Sequence, residues 1–177
     1  MKVFKLICKI VSTLIICCML AVGAAFVIPT FMGYTGYAVV SGSMVPTIPV
    51  GAIVYDEEVS PEDLTENDIV TYTLVSGDLV THRITSIDDG AQTVTTKGDA
   101  NSTEDSSPVP FTSIVGKTKY IVPCLGYISI YGKTKLGLAA LCGIIAILIL
   151  LLYLPEALSP SDESKDTEKT AKTEKAG

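Results

Sequence analysis

Two long apolar runs near the ends of the chain constrain its fold more than any other feature. The first covers residues 10–28 and the second residues 136–154, and neither contains a charged side chain. A helix of about 19 residues, rising about 1.5 Å per residue, matches the ~30 Å hydrocarbon core of a bilayer. The sequence therefore predicts two transmembrane helices, with a polar segment of residues 29–135 between them.

The charges beside these runs predict the topology. Residues 1–9 carry three lysines and no acid, and positive charge keeps a flanking segment cytoplasmic. A cleavable secretory signal has the same charge pattern but usually a shorter apolar core, which favours a retained anchor. Two spans then place both termini in the cytoplasm and the polar segment outside the plasma membrane. Lys133 and Lys135, directly before the second run, are a small contradiction of the positive-inside rule.

The polar segment has the pattern of strands. Stretches rich in β-branched and aromatic residues predict strands at 37–40, 52–55, 69–75, 79–87, 92–97 and 113–122. Residues 60–64 predict a helical turn with proline in its first position, and residues 101–110 predict a loop. No helical period is sustained between the two runs. The predicted fold class is mostly β, a folded β-sheet or barrel flanked by two transmembrane helices.

Composition limits the partners and cofactors. The formal net charge is −6, and the polar segment has no lysine or arginine cluster of the kind that binds nucleic acid. Of five cysteines only Cys124 lies in that segment, and no Cys/His spacing typical of a metal site is present. We expect no metal and no cofactor. Residues 155–177 are a polar tail that is predicted to be disordered.

A short stretch at residues 40–49 is the first candidate for chemistry. It contains Ser43 directly after Gly42, and Pro46 and Pro49 stiffen the chain that follows. A hydroxyl on such a rigid turn can act as a nucleophile. An ordinary surface turn uses the same residue types, so the stretch alone leaves both interpretations open.

The single histidine of the chain, His82, is the second candidate. Strand alternation places Val80, His82, Ile84 and Ser86 on one inward face. Such a histidine is either a general base or a satisfied core residue. A two-residue turn at Asp89-Gly90 would put Lys97 opposite His82 and Asp99 diagonally across, and a three-residue turn would put Thr96 opposite.

An acidic residue beside a buried histidine can stabilise its imidazolium form. Asp99 is one candidate for this role, although it could equally cap a turn. Asp105 is a second carboxylate nearby, and a loop position is its simplest interpretation.

Three motifs, in this order, resemble those of one enzyme family. Ser41-Gly42-Ser43-Met44 followed by Pro46-Thr47 resembles the nucleophile box of type I signal peptidases. Residues 77–84, with His82, resemble the second box of the ER-type branch of that family, which includes archaeal and Gram-positive members. Lys97-Gly98-Asp99-Ala100-Asn101, with Asp105 beyond it, resembles the third box.

The resemblance implies roles for individual residues. Ser43 matches the nucleophile, His82 the general base, and Asp99 and Asp105 the acidic positions. The Ser43 N–H and the Ser41 hydroxyl match the groups that bind the oxyanion. The implied protein is a membrane-bound serine endopeptidase that removes signal peptides from secretory preproteins, with the lipid bilayer and the secretion machinery as further partners.

Two alternatives stay open. Lys97 could replace His82 as the base of a serine–lysine peptidase. The polar segment could also be a non-catalytic, membrane-tethered β-domain that binds a partner.

Overall fold

The structure is a computed structural model that describes residues 2–157 of the chain. The tail predicted to be disordered lies, from residue 158 onward, outside the described residues. Contacts divide the described residues into two units, one of residues 2–20 with 139–157 and one of residues 21–138. The candidate site lies entirely within the second unit.

Three α-helices are present among the described residues. Helix α1 spans Lys2–Phe31, α2 spans Leu125–Tyr131 and α3 spans Lys135–Ala157. Helices α1 and α3 are each long and apolar enough to cross a membrane, judged by length and composition. Both contain the apolar runs that the sequence predicts as spans.

Seven antiparallel strands form one sheet between α1 and α2. The strands are β1 Thr35–Ala38, β2 Ile53–Glu57, β3 Ile69–Thr73, β4 Leu79–Asp88, β5 Thr93–Lys97, β6 Val109–Pro110 and β7 Ile114–Val122. Their order in the sheet is β1-β2-β7-β3-β4-β5-β6. The predicted fold class, a β-domain flanked by two apolar helices, is confirmed.

Two elements differ from the prediction. Strand β6 lies at the end of the stretch 101–110, which was predicted as a loop. Helix α2 was not predicted at all, because its seven residues are too few for a helical period to emerge. The helical turn predicted at 60–64 is present as a 3₁₀ turn over Pro61–Asp63.

The pairing of β4 with β5 corrects both predicted registers. Four residues separate Asp88 from Thr93, and the pairing shifts by one residue between Ile84 and Ser86. Arg83, rather than His82, therefore lies opposite Lys97. The irregularity also reverses the alternation, since a bulge adds one residue to one strand. Ser86, predicted to face inward, is exposed.

Two apolar clusters pack on the sheet beside the site. One cluster consists of Leu64, Val70, Tyr72, Ile84, Val94, Val109 and Phe111. The other consists of Met44, Ile48, Ala52 and Val54. Met44 and Ile48 are at most 1% exposed and belong to the turn that carries Ser43. Their burial holds that turn against the sheet, because close-packed side chains tolerate little displacement.

A third cluster joins the end of α1 to the sheet. Ile53, Tyr55 and Leu125 pack with Ala25 and Phe26. The Tyr55 hydroxyl donates a hydrogen bond of 2.8 Å to the carbonyl oxygen of Ala25. The last part of α1 is therefore a packing element of the β-domain.

Candidate active site

Ser43 lies on a turn that is held from two directions. Below it, the side chains of Met44 and Ile48 are buried in the core. Beside it, the N–H of Ala100 donates a 2.8 Å hydrogen bond to the Ser43 carbonyl oxygen. The hydroxyl oxygens of Ser41 and Ser43 are 3.4 Å apart. The turn thus presents two neighbouring hydroxyls from a fixed backbone.

His82 lies on β4 and is 8% exposed, as its predicted inward face requires. Its Nδ1 is 2.6 Å from Oδ2 of Asp105. Its Nε2 faces the segment around Gly98, where a Cβ atom would come within 3.0 Å of it. The same Cβ would lie 2.6 Å from the Ser43 carbonyl oxygen. Gly98 therefore lies directly between the backbone of Ser43 and the free nitrogen of His82.

Asp105 is held by three donors on one oxygen. The hydroxyls of Thr96 and Tyr72 donate to Oδ2 at 2.7 and 3.2 Å, in addition to His82. The N–H of Asp105 donates to the carbonyl oxygen of Thr96 at 2.8 Å, which folds the loop back against β5.

These contacts set the charge of the carboxyl. Partial burial opposes ionisation of Asp105, but the hydrogen bonds from Thr96 and His82 outweigh it and lower the pKa of Asp105. Asp105 is consequently ionised at neutral pH. For Tyr72, burial and the nearby negative charge of Asp105 raise the pKa of its hydroxyl to about 12, so it remains a donor.

Asp99 has a different set of partners. The Arg83 guanidinium binds both of its oxygens, with Nε at 2.8 Å and Nη2 at 2.7 Å. The Thr47 hydroxyl also donates to Asp99. The hydrogen bond from Arg83 lowers the pKa of Asp99 despite its partial burial. Asp99 therefore links β4 to the turn that carries Ser43, whereas Asp105 contacts the imidazole.

Lys97 lies on the other face of β5 from Thr96. Because successive strand residues point to opposite faces, a side chain next to Thr96 is directed away from Asp105. Lys97 lines a separate shallow cleft of about 340 Å³ with Thr47, Thr85 and Asp99.

Ser43 and His82 share one open cleft of about 380 Å³. Its walls come from the end of β1 with the residues that follow it, and from the beginning of β4. The apolar and small lining residues are Tyr37, Ala38, Val39, Val40, Met44, Ile48, Leu79 and Val80, with hydroxyls from Ser41, Thr71 and Thr81. The cleft runs between two extended segments, an arrangement that suits a peptide in extended conformation.

Sequence reasoning missed four residues that support the site. Thr96 and Tyr72 bind Asp105, and Arg83 and Thr47 bind Asp99. Thr96 had a usable signal, because it alternates with the buried Val94 and so faces inward on β5. The others depend on contacts between separate elements. Within residues 2–157 no group of three or more His, Cys, Asp or Glu side chains is placed to hold a metal ion.

Comparison with known proteins adds an independent observation. The chain is 33% identical over 84 residues to signal peptidase I W of Bacillus subtilis (strain 168). The match supports a relationship to signal peptidase I. It covers 46% of this chain and 44% of the Bacillus protein, so the chain spans less than half the length of this curated relative. No family model matches the chain.

Proposed function

We propose that this chain is a membrane-bound serine endopeptidase that removes N-terminal signal peptides from secretory preproteins, with Ser43 as nucleophile and His82 as general base. The observation that carries the proposal is the 2.6 Å contact between Asp105, which is ionised, and Nδ1 of His82, a histidine that lines the same cleft as Ser43. A histidine oriented in this way has its second nitrogen available for proton transfer. The partial match to signal peptidase I supports the substrate class.

The reaction begins with proton transfer from Ser43. Asp105 holds the Nδ1–H of His82, so that Nε2 accepts the proton of the Ser43 hydroxyl as Oγ attacks the scissile carbonyl carbon. Among the residues that the structure describes, Ser43 and His82 are not hydrogen-bonded to each other. Catalytic hydrogen bonds are often long without substrate and shorten in the complex, so binding of the peptide is expected to bring them together.

The tetrahedral oxyanion needs donors close to Ser43. In the described part of the chain the Ser43 N–H donates no hydrogen bond, and the Ser41 hydroxyl oxygen lies 3.4 Å from Ser43 Oγ. We assign these two groups to the oxyanion. One such donor contributes about 3–4 kcal/mol of transition-state stabilisation in comparable sites.

The remaining steps complete the hydrolysis. His82 passes its proton to the leaving amine as the peptide bond breaks, and Ser43 stays esterified to the signal peptide. A water molecule then loses a proton to His82 and attacks the ester, which frees the carboxylate and restores the Ser43 hydroxyl.

The two carboxylates receive different roles in this proposal. Asp105 orients His82 and stabilises the imidazolium. Asp99, bound to Arg83 and Thr47, positions the turn that carries Ser43. This division differs from the expectation that the hairpin delivers Asp99 to the histidine.

The membrane anchors have a function in the same proposal. We place residues 29–135 on the extracytoplasmic face of the plasma membrane, with both termini in the cytoplasm. An enzyme and a substrate confined to one membrane face meet at a high effective concentration, which favours cleavage close to the bilayer surface.

Cleavage of a preprotein by the full chain in proteoliposomes tests the assignment. Ser43→Ala and His82→Ala are each expected to lower kcat/KM by about 10³-fold or more. Lys97→Ala, the matched control, is expected to stay within a few-fold of the unsubstituted chain. A chain that works without His82 but not without Lys97 would be a serine–lysine peptidase. Full cleavage by Ser43→Ala would contradict any serine mechanism.

A further inference from the structure

We propose that α2 is an interfacial helix that lies in the headgroup region of an anionic bilayer and so keeps the turn that carries Ser43 at the membrane surface. The surface concerned, called the α2 face below, consists of Tyr127, Ile128, Ile130 and Tyr131. The proposal concerns lipid contact and does not depend on the peptidase assignment.

The α2 face is unusually apolar for an exposed surface. Four of the seven residues of the helix are large, apolar or aromatic, and exposed. Tyr131 is 59% exposed and Ile128 is 48% exposed. The rings of Tyr127 and Tyr131 stack at 6.3 Å between centroids. Tyrosine is favoured at membrane–water interfaces, because its ring is apolar and its hydroxyl is polar.

Chain continuity indicates what covers this face. Only three residues separate Tyr131 from the first residue of α3, which is long and apolar enough to cross a membrane. A chain of that length reaches about 14 Å at most. If α3 enters the bilayer, we therefore expect α2 to lie at the surface of the bilayer.

Hydrogen bonds from Thr134 close the junction between α2 and α3. The Thr134 hydroxyl donates to the Tyr131 carbonyl oxygen at 2.6 Å and accepts a 3.1 Å hydrogen bond from the Gly137 N–H. Thr134 thus acts as the N-cap of α3. A Cβ on Gly137 would come within 2.0 Å of the Tyr131 oxygen, so the two helices meet closely here.

Charge identifies the type of lipid. Residues 106–155 contain four lysines and no aspartate or glutamate, in a chain of net charge −6. Two of these lysines, Lys133 and Lys135, lie at the junction, are exposed, and make no ion pair with any side chain that the structure describes. Lysines near an anionic bilayer are attracted to its negatively charged headgroups. Their position, which contradicts the positive-inside rule, is explained if they bind phospholipid headgroups.

The start of α2 contacts Gly51, the residue next to the turn that carries Ser43. The Gly126 N–H donates to the Gly51 carbonyl oxygen at 2.9 Å. The Tyr127 ring covers Gly51, where a Cβ would come within 2.2 Å of the ring. Gly51 adjoins the turn that presents Ser43. A helix that lies on the bilayer therefore also determines how far Ser43 is from it.

Fluorescence of a single tryptophan tests this placement, since the chain contains none. Ile128→Trp is introduced into the full chain, reconstituted in phosphatidylcholine with or without phosphatidylglycerol. Lipids brominated near the top of the acyl chains quench a buried indole, and iodide quenches an exposed one. We expect quenching by the brominated lipid and protection from iodide. The control, Ala91→Trp in the exposed β4–β5 turn, is expected to be quenched by iodide only.

A charge variant tests the role of the lysines. We expect stronger quenching with phosphatidylglycerol, and loss of that increase when Lys133→Gln and Lys135→Gln are added. Equal quenching in both lipids would overturn the anionic preference. Quenching of the Ile128→Trp indole by iodide alone would place α2 in water and overturn the proposal. Protection from both quenchers would also overturn it, because a protein such as a second copy of the chain would then cover the face. None of these measurements uses peptidase activity, so their failure is distinct from failure of the proposed function.

Discussion

His82 and Asp105 are joined by a 2.6 Å contact across 23 positions of sequence, although Asp99 is closer in the chain. The contact forms because the loop after β5 turns back and hydrogen-bonds to Thr96. Asp105→Asn keeps the shape of the side chain but removes the negative charge to which the proposed mechanism assigns stabilisation of the imidazolium. We expect kcat to fall on the order of 10³- to 10⁴-fold, with a smaller change in KM. Steady-state kinetics on a preprotein measures this loss.

Stability provides a second readout for the same variant. The pKa of Asp105 is lowered in the folded state, so its ionisation stabilises the fold above the ordinary carboxyl pKa of about 3.9. The difference in free energy of unfolding between the unsubstituted chain and Asp105→Asn should disappear as the pH falls through the lowered pKa of Asp105. An unchanged kcat in Asp105→Asn would contradict the orienting role.

The hydrogen bond from Thr47 to Asp99 is expected to hold the turn that carries Ser43 in position. Thr47→Val removes the hydroxyl that binds Asp99 and keeps the branched shape. Without this bond the turn that carries Ser43 is less firmly held, and a displacement of about 1 Å in a catalytic group costs about 10²-fold in rate, so we expect kcat to fall about 10-fold or more. Thr112→Val, at an exposed position, is the matched control. The pH profile of kcat should keep its shape, because Thr47 does not contact His82; a shifted profile would argue against a purely positional role.

Gly98 lies where the segment after β5 passes closest to the backbone of Ser43. A Cβ at this position would lie 2.6 Å from the Ser43 carbonyl oxygen, a backbone atom that must then move. A displacement of about 1 Å in a catalytic group costs about 10²-fold in rate. We expect Gly98→Ala to lose activity to this extent while unfolding in one cooperative transition. Gly90→Ala, in the exposed β4–β5 turn, should retain full activity. Equal activities in Gly98→Ala and Gly90→Ala would show that activity does not require the close contact between Gly98 and the backbone of Ser43.

Asp56 is a buried carboxyl that is expected to limit stability. It is 3% exposed, and its Oδ2 has no hydrogen-bond partner among residues 2–157. Burial raises the pKa of Asp56, although hydrogen bonds from Thr71 and Thr118 oppose the shift. The folded state therefore binds the proton more tightly than the unfolded state. The free energy of unfolding should therefore decrease as the pH rises from about 4 through the raised pKa, because the buried Asp56 must then lose its proton.

Thermal unfolding of Asp56→Asn in detergent measures this effect. The neutral amide avoids the cost of ionisation, so we expect a Tm a few degrees higher than that of the unsubstituted chain at pH 8. The difference should shrink towards pH 4. Asp89→Asn, at an exposed turn, should change Tm little at either pH. A lower Tm for Asp56→Asn at pH 8 would contradict the prediction, because it would show that the ionised carboxylate stabilises the folded state.

Much of the fold was accessible from local patterns. Six of the strands lie where β-branched runs bounded by turn residues predict them. Strand β6 and α2 were missed because two and seven residues carry too little periodic signal. The inward orientation of His82 was predicted correctly, since it depends only on alternation near the centre of β4.

The sequence by itself indicated six of the strands and both long apolar helices, and it singled out Ser43 and His82, because periodicity, turn chemistry and short motifs are local properties. Only the tertiary structure decided which carboxylate meets the histidine. The longer β4–β5 turn and the register shift after Ile84 place Arg83 opposite Lys97. Arg83 then binds Asp99, and the returning loop brings Asp105 to His82. A single-residue change in register exchanges the two faces of a strand. Which carboxylate binds Arg83 and which binds His82 therefore depends on the strand register and on the path of the loop after β5. Neither can be derived from a single motif.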